Sequence, residues 1–212
     1  EKVKAAFPKV VVVMNVGGMV DTQWFKSDSA IDAVLMAWQG GMEGGTAAAE
    51  LLMGIGTPSG KLSDTFAKEL ADYPSTEGFH ESENFVHYTE DIYVGYRYFE
   101  TIPGAKDKVN YPFGFGLSYT DFEIECEKAK QLADEISLQV RVTNTGAYEG
   151  KEVVQVSVEA PQGKLMKPAK VLAAFQKTRL LQPGDSQLLT ITFPLSAFAS
   201  YDDLGKVQKS AW

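Results

Sequence analysis

The 212-residue chain is 44% hydrophobic and 23% charged, the balance of an ordinary globular protein with enough apolar material for a sizeable core. Its formal net charge of -8 excludes nucleic acid and anionic membranes as natural partners, because like charges repel. The single cysteine, Cys126, allows no internal disulfide. Oxidising compartments stay open on that count, with the cytoplasm slightly favoured.

In chain order, Lys9–Val16 reads KVVVVMNV, a continuous apolar run that predicts a strand buried on both faces. It is far too short to span a bilayer, no signal peptide is legible, and Glu1 does not look like a natural start. Ala33–Trp38, AVLMAW, predicts a second strand of the same kind, with Trp38 in the core. Gly44–Met53 predicts a helix with Ala47, Ala48, Leu51 and Leu52 on one side and Gly54 as its stop. Strand, helix and glycine stops together predict an α/β layer. After the turn at Pro58-Ser59-Gly60, a short strand is expected over Lys61–Phe66. A long surface loop should run from about Ala67 to Asn84, followed by the aromatic-rich Glu90–Phe99.

The pattern changes after Gly116 from helical to alternating. Ile136, Leu138, Val140 and Val142 share one strand face, as do Val154, Val156 and Val158, and then Leu189, Ile191 and Phe193. Asn144-Thr145-Gly146 and Pro183-Gly184-Asp185 supply turns. Short alternating strands with regular turn signals predict a β-sandwich. The division is expected near residues 112–122, giving segments 1–115 and 116–212.

Several runs invite chemistry and mostly decline it. Gly54–Lys61, GIGTPSGK, resembles a phosphate loop, but Ile55 stands where a glycine is needed and Leu62 where a Ser or Thr is needed. Val16-Gly17-Gly18 lacks the full dinucleotide glycine spacing. His80 and His87 fit no common zinc spacing, so no metal and no cofactor are expected. Glu90 and Asp91 are adjacent, and on an extended segment they would point apart; one could pair with Arg97 or cap the segment after it. Cys126 lies among acidic neighbours, which disfavour a thiolate, and reads as strand packing. Trp24, Trp38, Tyr93, Tyr96, Tyr98 and Phe99 could stack on sugars, though packing is the commoner use of such rings.

Four stretches resemble family 3 glycoside hydrolases. They are AWQGGMEGGTAAAELLMGIGTPSGKLSDTF at Ala37–Phe66, EDIYVGYRYF at Glu90–Phe99, YPFGFGLSY at Tyr111–Tyr119, and VTNTGAYEGKEVVQV at Val142–Val156. Lys167–Asp185 extends the match, in order and at plausible spacing over nearly the whole chain. The resemblance implies part of an α/β sandwich domain followed by a fibronectin type III-like domain. It implies retaining hydrolysis of a β-glucoside or related glycoside by a larger enzyme that also has a (β/α)8 barrel.

By that resemblance the nucleophilic aspartate belongs to the barrel. The acid/base glutamate precedes the strand beginning at Lys9, so neither falls in this chain, and Glu43 matches neither. The chain alone is then expected to be inactive, walling the cleft and bracing the other domains, with a saccharide as the enzyme's substrate and specificity set mainly by the barrel. Asp91, Tyr96 and Arg97 are the candidate substrate-binding residues. The chain stops at Trp212, about where a last sandwich strand would begin, so a truncated sandwich is expected. The competing reading is a non-catalytic carbohydrate-binding or scaffolding module, and the oligomeric state is open.

Overall fold

The structure, a computed structural model, describes residues 2–201 and the backbone of 207–208. The expected break of the sandwich at Trp212 lies outside the described residues. The first part holds α1 (Lys2–Ala6), β1 (Val11–Met14), α2 (Gln23–Lys26), β2 (Ala33–Met36) and α3 (Gly44–Leu52). Next come β3 (Phe66–Ala67), α4 (Tyr96–Thr101) and β4 (Val109–Tyr111). β1 and β2 pair in parallel, Val11 opposite Ala33 through Met14 opposite Met36, as the two apolar runs require.

Four expectations for this part change. β1 is not buried on both faces: Val11 and Val13 remain 48% and 43% exposed, while Val12 and Met14 are half-buried. The face that carries Val11, Val13 and Ala33 is left largely open by the described residues, with Leu35 half-buried beside Val13. Trp38 is not in a strand. β2 ends at Met36, and Trp38 turns the chain in the left-handed region at φ 52°, half-buried, with its ring 6.3 Å from Phe66. The strand expected at Lys61–Phe66 is reduced to Phe66–Ala67, which pairs with Tyr111 and Val109. Lys61 is drawn elsewhere, and Leu62 instead exchanges backbone hydrogen bonds with Phe115 and Gly114. In α3, Gly44, Ala48 and Leu51 form the inward stripe, at spacings of four and three, whereas Ala47 and Leu52 are exposed. The helix stops where expected, at Gly54, whose φ of 72° favours glycine.

α2 is fastened to β4 by polar tips. Asn110 donates from Nδ2 to the buried Thr22 hydroxyl at 2.6 Å, and the Lys26 ammonium bonds the Asn110 carbonyl while sitting 4.7 Å over the Tyr111 ring. At the start of the chain, Lys4 pairs with Asp28, and Lys9 with Asp32 at 2.7 Å. Asp32 also accepts the Val10 amide at 2.8 Å, which ties the entry of β1 to the entry of β2.

The hydrogen bond from Lys4 holds Asp28 below its usual carboxylate value, and that from Lys9 does the same for Asp32. Stability from these pairs is therefore present above pH 3.8 and lost as pH falls through the depressed values. Asp32→Asn should flatten the decline of Tm below pH 3.8; an unchanged slope would remove Asp32 from the account.

The second part is all β: β5 (Phe122–Leu132), β6 (Glu135–Asn144), β7 (Val153–Val158), β8 (Val171–Lys177), β9 (Ser186–Pro194), β10 (Ser200–Tyr201) and β11 (Val207–Gln208). One sheet runs β5-β6-β9, a second β7-β8, and β10 pairs with β11, all antiparallel. The alternation read from the sequence faces inward as expected. Val140, Val142, Val154, Leu189 and Ile191 pack with Leu181 in one core, and Phe193 is buried at the end of β9.

β5 differs from expectation. Cys126 is exposed rather than packed, because β5 is an edge strand whose residues after Phe122 face solvent, with Glu123, Glu125, Glu127, Lys128 and Lys130 guarding it. No helix among the described residues is long and apolar enough to cross a membrane.

Candidate functional site

The segment singled out in the sequence lies against the β-sandwich. Residues Thr89–Ile92 form a turn, not an extended strand, with Asp91 exposed at φ 48° and its amide donating to the Tyr88 carbonyl at 3.3 Å. Glu90 instead accepts from the Tyr93 amide through its backbone carbonyl at 2.8 Å. Neither carboxylate pairs with Arg97 among the described residues, because the turn separates them from α4 and Gly95 takes the helix N-cap. Tyr96, the first residue of α4, stacks on Phe113 with ring centroids 4.4 Å apart and an interplanar angle of 27°. Its hydroxyl accepts the Leu172 amide at 2.8 Å. The Arg97 guanidinium lies 6.0 Å from the Tyr96 ring centroid. Thr101, one end of α4 away, accepts the Ala169 amide at 2.9 Å. Tyr96 and Thr101 thus meet the chain entering β8.

A second contact zone holds the run that resembles a phosphate loop. Lys61 donates to the Gly116 carbonyl at 3.0 Å and reaches both Glu152 oxygens, at 3.0 and 3.1 Å. The two side chains are only 17% and 12% exposed. The lysine that a phosphate loop would aim at an anion is therefore already paired within the protein. Close by, Lys177 donates to the Ser59 carbonyl at 3.1 Å. Burial, with the ammonium groups of Lys151 and Lys61 adding to it, holds Lys177 below the ordinary lysine value. Burial likewise pushes the Tyr111 phenol up.

Two clefts flank α4. One, of ≈ 320 Å³, is lined by Glu100, Ser157, Val158, Glu159, Ala169 and Lys170. The other, of ≈ 180 Å³, lies between Thr65, Phe99, Glu100, Lys106, Val109 and Pro112. Glu100 faces Lys106 at 3.7 Å, so that carboxylate is partnered rather than free for acid/base work. His87 Nδ1 lies 2.7 Å from Glu81 Oε2, and His80 packs edge-on against Phe79. The histidines thus form no joint site, and no group of three or more His, Cys, Asp or Glu residues suited to a metal occurs among the described residues. Glu43 sits exposed at the N-cap of α3 without a side-chain capping bond.

One feature of the layer has no counterpart in the sequence expectations. At the carboxyl ends of β1 and β2, where parallel α/β sheets present ligands, the Asn15–Gly18 and Trp38–Gly41 turns meet. A Cβ on Gly17 would come within 2.8 Å of Gln39 Nε2. The positive φ of Trp38 has no sequence signal, since any bulky residue there would be expected to avoid it.

The α/β layer, the sandwich after it and the order of the motifs define one class of protein. Residues 1–119 match the glycosyl hydrolase family 3 C-terminal domain, and residues 152–210 match a fibronectin type III-like domain. The chain belongs to glycosyl hydrolase family 3, with the fibronectin III-like fold in its second part.

It is 64% identical over 225 residues to beta-glucosidase A of Butyrivibrio fibrisolvens, covering 99% of this chain and 27% of that protein. The crystal structure of a beta-glucosidase from Paenibacillus barengoltzii superposes with a TM-score of 0.89 at 52% identity, over 95% of this chain and 22% of that one. A Kluyveromyces marxianus beta-glucosidase solved with glucose gives a TM-score of 0.90 at 38% identity, over 99% and 25%. The chain spans about a quarter of the length of these relatives.

Proposed function

We propose that residues 1–212 form a segment of a retaining glycoside hydrolase that releases terminal sugars from β-glucosides or related glycosides. The supporting observation is the coverage: the similarity to beta-glucosidases runs through 99% of this chain but 27% of the Butyrivibrio protein. Retaining hydrolysis needs a nucleophile and an acid/base, with carboxyl groups about 5–5.5 Å apart. In this reading both lie outside residues 1–212, the nucleophile on a (β/α)8 barrel that is this segment's intramolecular partner. Glu43, Glu90 and Asp91 are then not the catalytic carboxylates.

The segment divides at residues 115 and 116. The α/β part walls the cleft and the sandwich braces it. Tyr96 does its part at the junction, while the exposed Asp91 and the neighbouring Arg97 are the residues of this stretch offered to a cleft edge. The test is turnover of chromogenic gluco-, xylo- and N-acetylglucosaminides by a longer polypeptide that carries residues 1–212. Hydrolysis of the β-glucoside supports the reading; failure on all three substrates refutes it.

A further inference from the structure

We infer that Lys61 and Glu152 form a register pin that makes the α/β layer and the β-sandwich one cooperative unit. The pin joins three stretches far apart in sequence. Lys61 comes from the turn after α3, Gly116 from the stretch before β5, and Glu152 from the residue preceding β7.

Each group in the pin is satisfied. The Glu152 carboxylate accepts from the Lys61 ammonium and, at 2.6 Å, from the Val153 amide. The Glu152 backbone is fixed in turn, its amide donating to the Thr178 hydroxyl at 3.0 Å and its carbonyl accepting the Thr178 amide at 2.9 Å. The stem of Lys61 passes Gly116 so closely that a Cβ there would lie 3.1 Å from Lys61 Cδ and would overlap the Gly60 carbonyl oxygen. Only glycine admits this approach. The α4 hydroxyls of Tyr96 and Thr101 hold the same two parts together at a second place.

A buried ion pair seldom adds much net stability, because desolvation offsets the attraction; its attested use is to fix one arrangement among several. Removing one partner strands the other charge, whereas replacing both with apolar groups relieves that penalty and leaves the register unpinned. This distinction supplies the test.

Lys61→Met alone should lower Tm by roughly 2–12 °C, the shift expected when a largely but not fully buried carboxylate loses its partner in a chain of this size. Lys61→Met/Glu152→Leu should recover most of that loss. The coupling is read separately by hydrogen exchange, with Phe66→Ala as a perturbation confined to the α/β layer. In the otherwise native chain, Phe66→Ala should speed exchange in β6 as well as in β3 and β4. In the Lys61→Met/Glu152→Leu background it should speed exchange in β3 and β4 as before while its effect on β6 falls several-fold, the contacts of Tyr96, Thr101 and Lys177 carrying what remains. The inference is overturned if Phe66→Ala leaves β6 untouched in the native chain, or reaches β6 undiminished when both pin residues are replaced. Should Lys61→Met fail to fold, the double replacement decides the matter alone.

Discussion

Replacing Asn144 by leucine should destabilise the chain by roughly 3–5 kcal/mol, lowering the urea midpoint with little change in slope. Asn144 is fully buried and uses all four hydrogen-bonding positions of its amide. Its Oδ1 accepts from the Thr120 hydroxyl at 2.7 Å and from the Gly146 amide at 3.1 Å. Its Nδ2 donates to the Tyr148 carbonyl at 2.7 Å and the Leu181 carbonyl at 2.9 Å. One side chain therefore ties the start of β5, the turn after β6 and the strand-like bridge at Leu181.

Leucine keeps the branched shape, though it is bulkier, and strands two donors and two acceptors. A buried polar group left unsatisfied costs about 1–3 kcal/mol, with part recovered by relaxation or water entry. A loss below about 1 kcal/mol would show that the turn after β6 holds without the amide.

The second large effect lies in the α/β layer. Phe66 is 1% exposed, and its ring packs 6.3 Å from Trp38 at 51°. Phe66→Ala removes a buried ring and leaves a cavity, a change that destabilises by roughly 3–5 kcal/mol where the surroundings do not collapse. They are held here by the backbone pairing of β3 with β4, and by Tyr73, whose hydroxyl accepts the Ala67 amide at 2.7 Å and donates to the Thr65 carbonyl at 3.1 Å. Loss of the ring should also wet Trp38 and shift its fluorescence to longer wavelength. A stability loss under about 1 kcal/mol with unchanged emission would mean that the layer repacks around the gap.

The sandwich was legible in the sequence because its strands bury one face each. Leu189, Ile191 and Phe193 alternate with polar residues, and the period of two survives whatever packs above them. β1 was legible as a strand but not in its exposure, since the composition of VVVV reports affinity for a core and not whether a second layer covers Val11 and Val13. Cys126 departs from expectation for the same reason. Its alternation with Phe122 and Ile124 marks a strand face, and whether an edge strand's face is covered depends on tertiary structure.

At the candidate site, Lys61 could be cleared of phosphate binding by spacing alone. Its true partner, Glu152, is 91 residues away and has no local signature. Tyr96 is similar, for its aromatic neighbours suggested stacking, while its hydroxyl meets an amide 76 residues on. The Trp38 turn was invisible because a positive φ on a bulky residue is imposed by its surroundings against its own preference.

The most direct measurement is a chromogenic β-glucoside assay on purified residues 1–212, at a concentration high enough to see very slow turnover. If both catalytic carboxylates lie outside residues 1–212, as proposed, the release of chromophore should equal that of buffer. Turnover above buffer, abolished by replacing Glu43, Glu90 or Asp91, would place catalytic carboxylates within this segment and contradict the account.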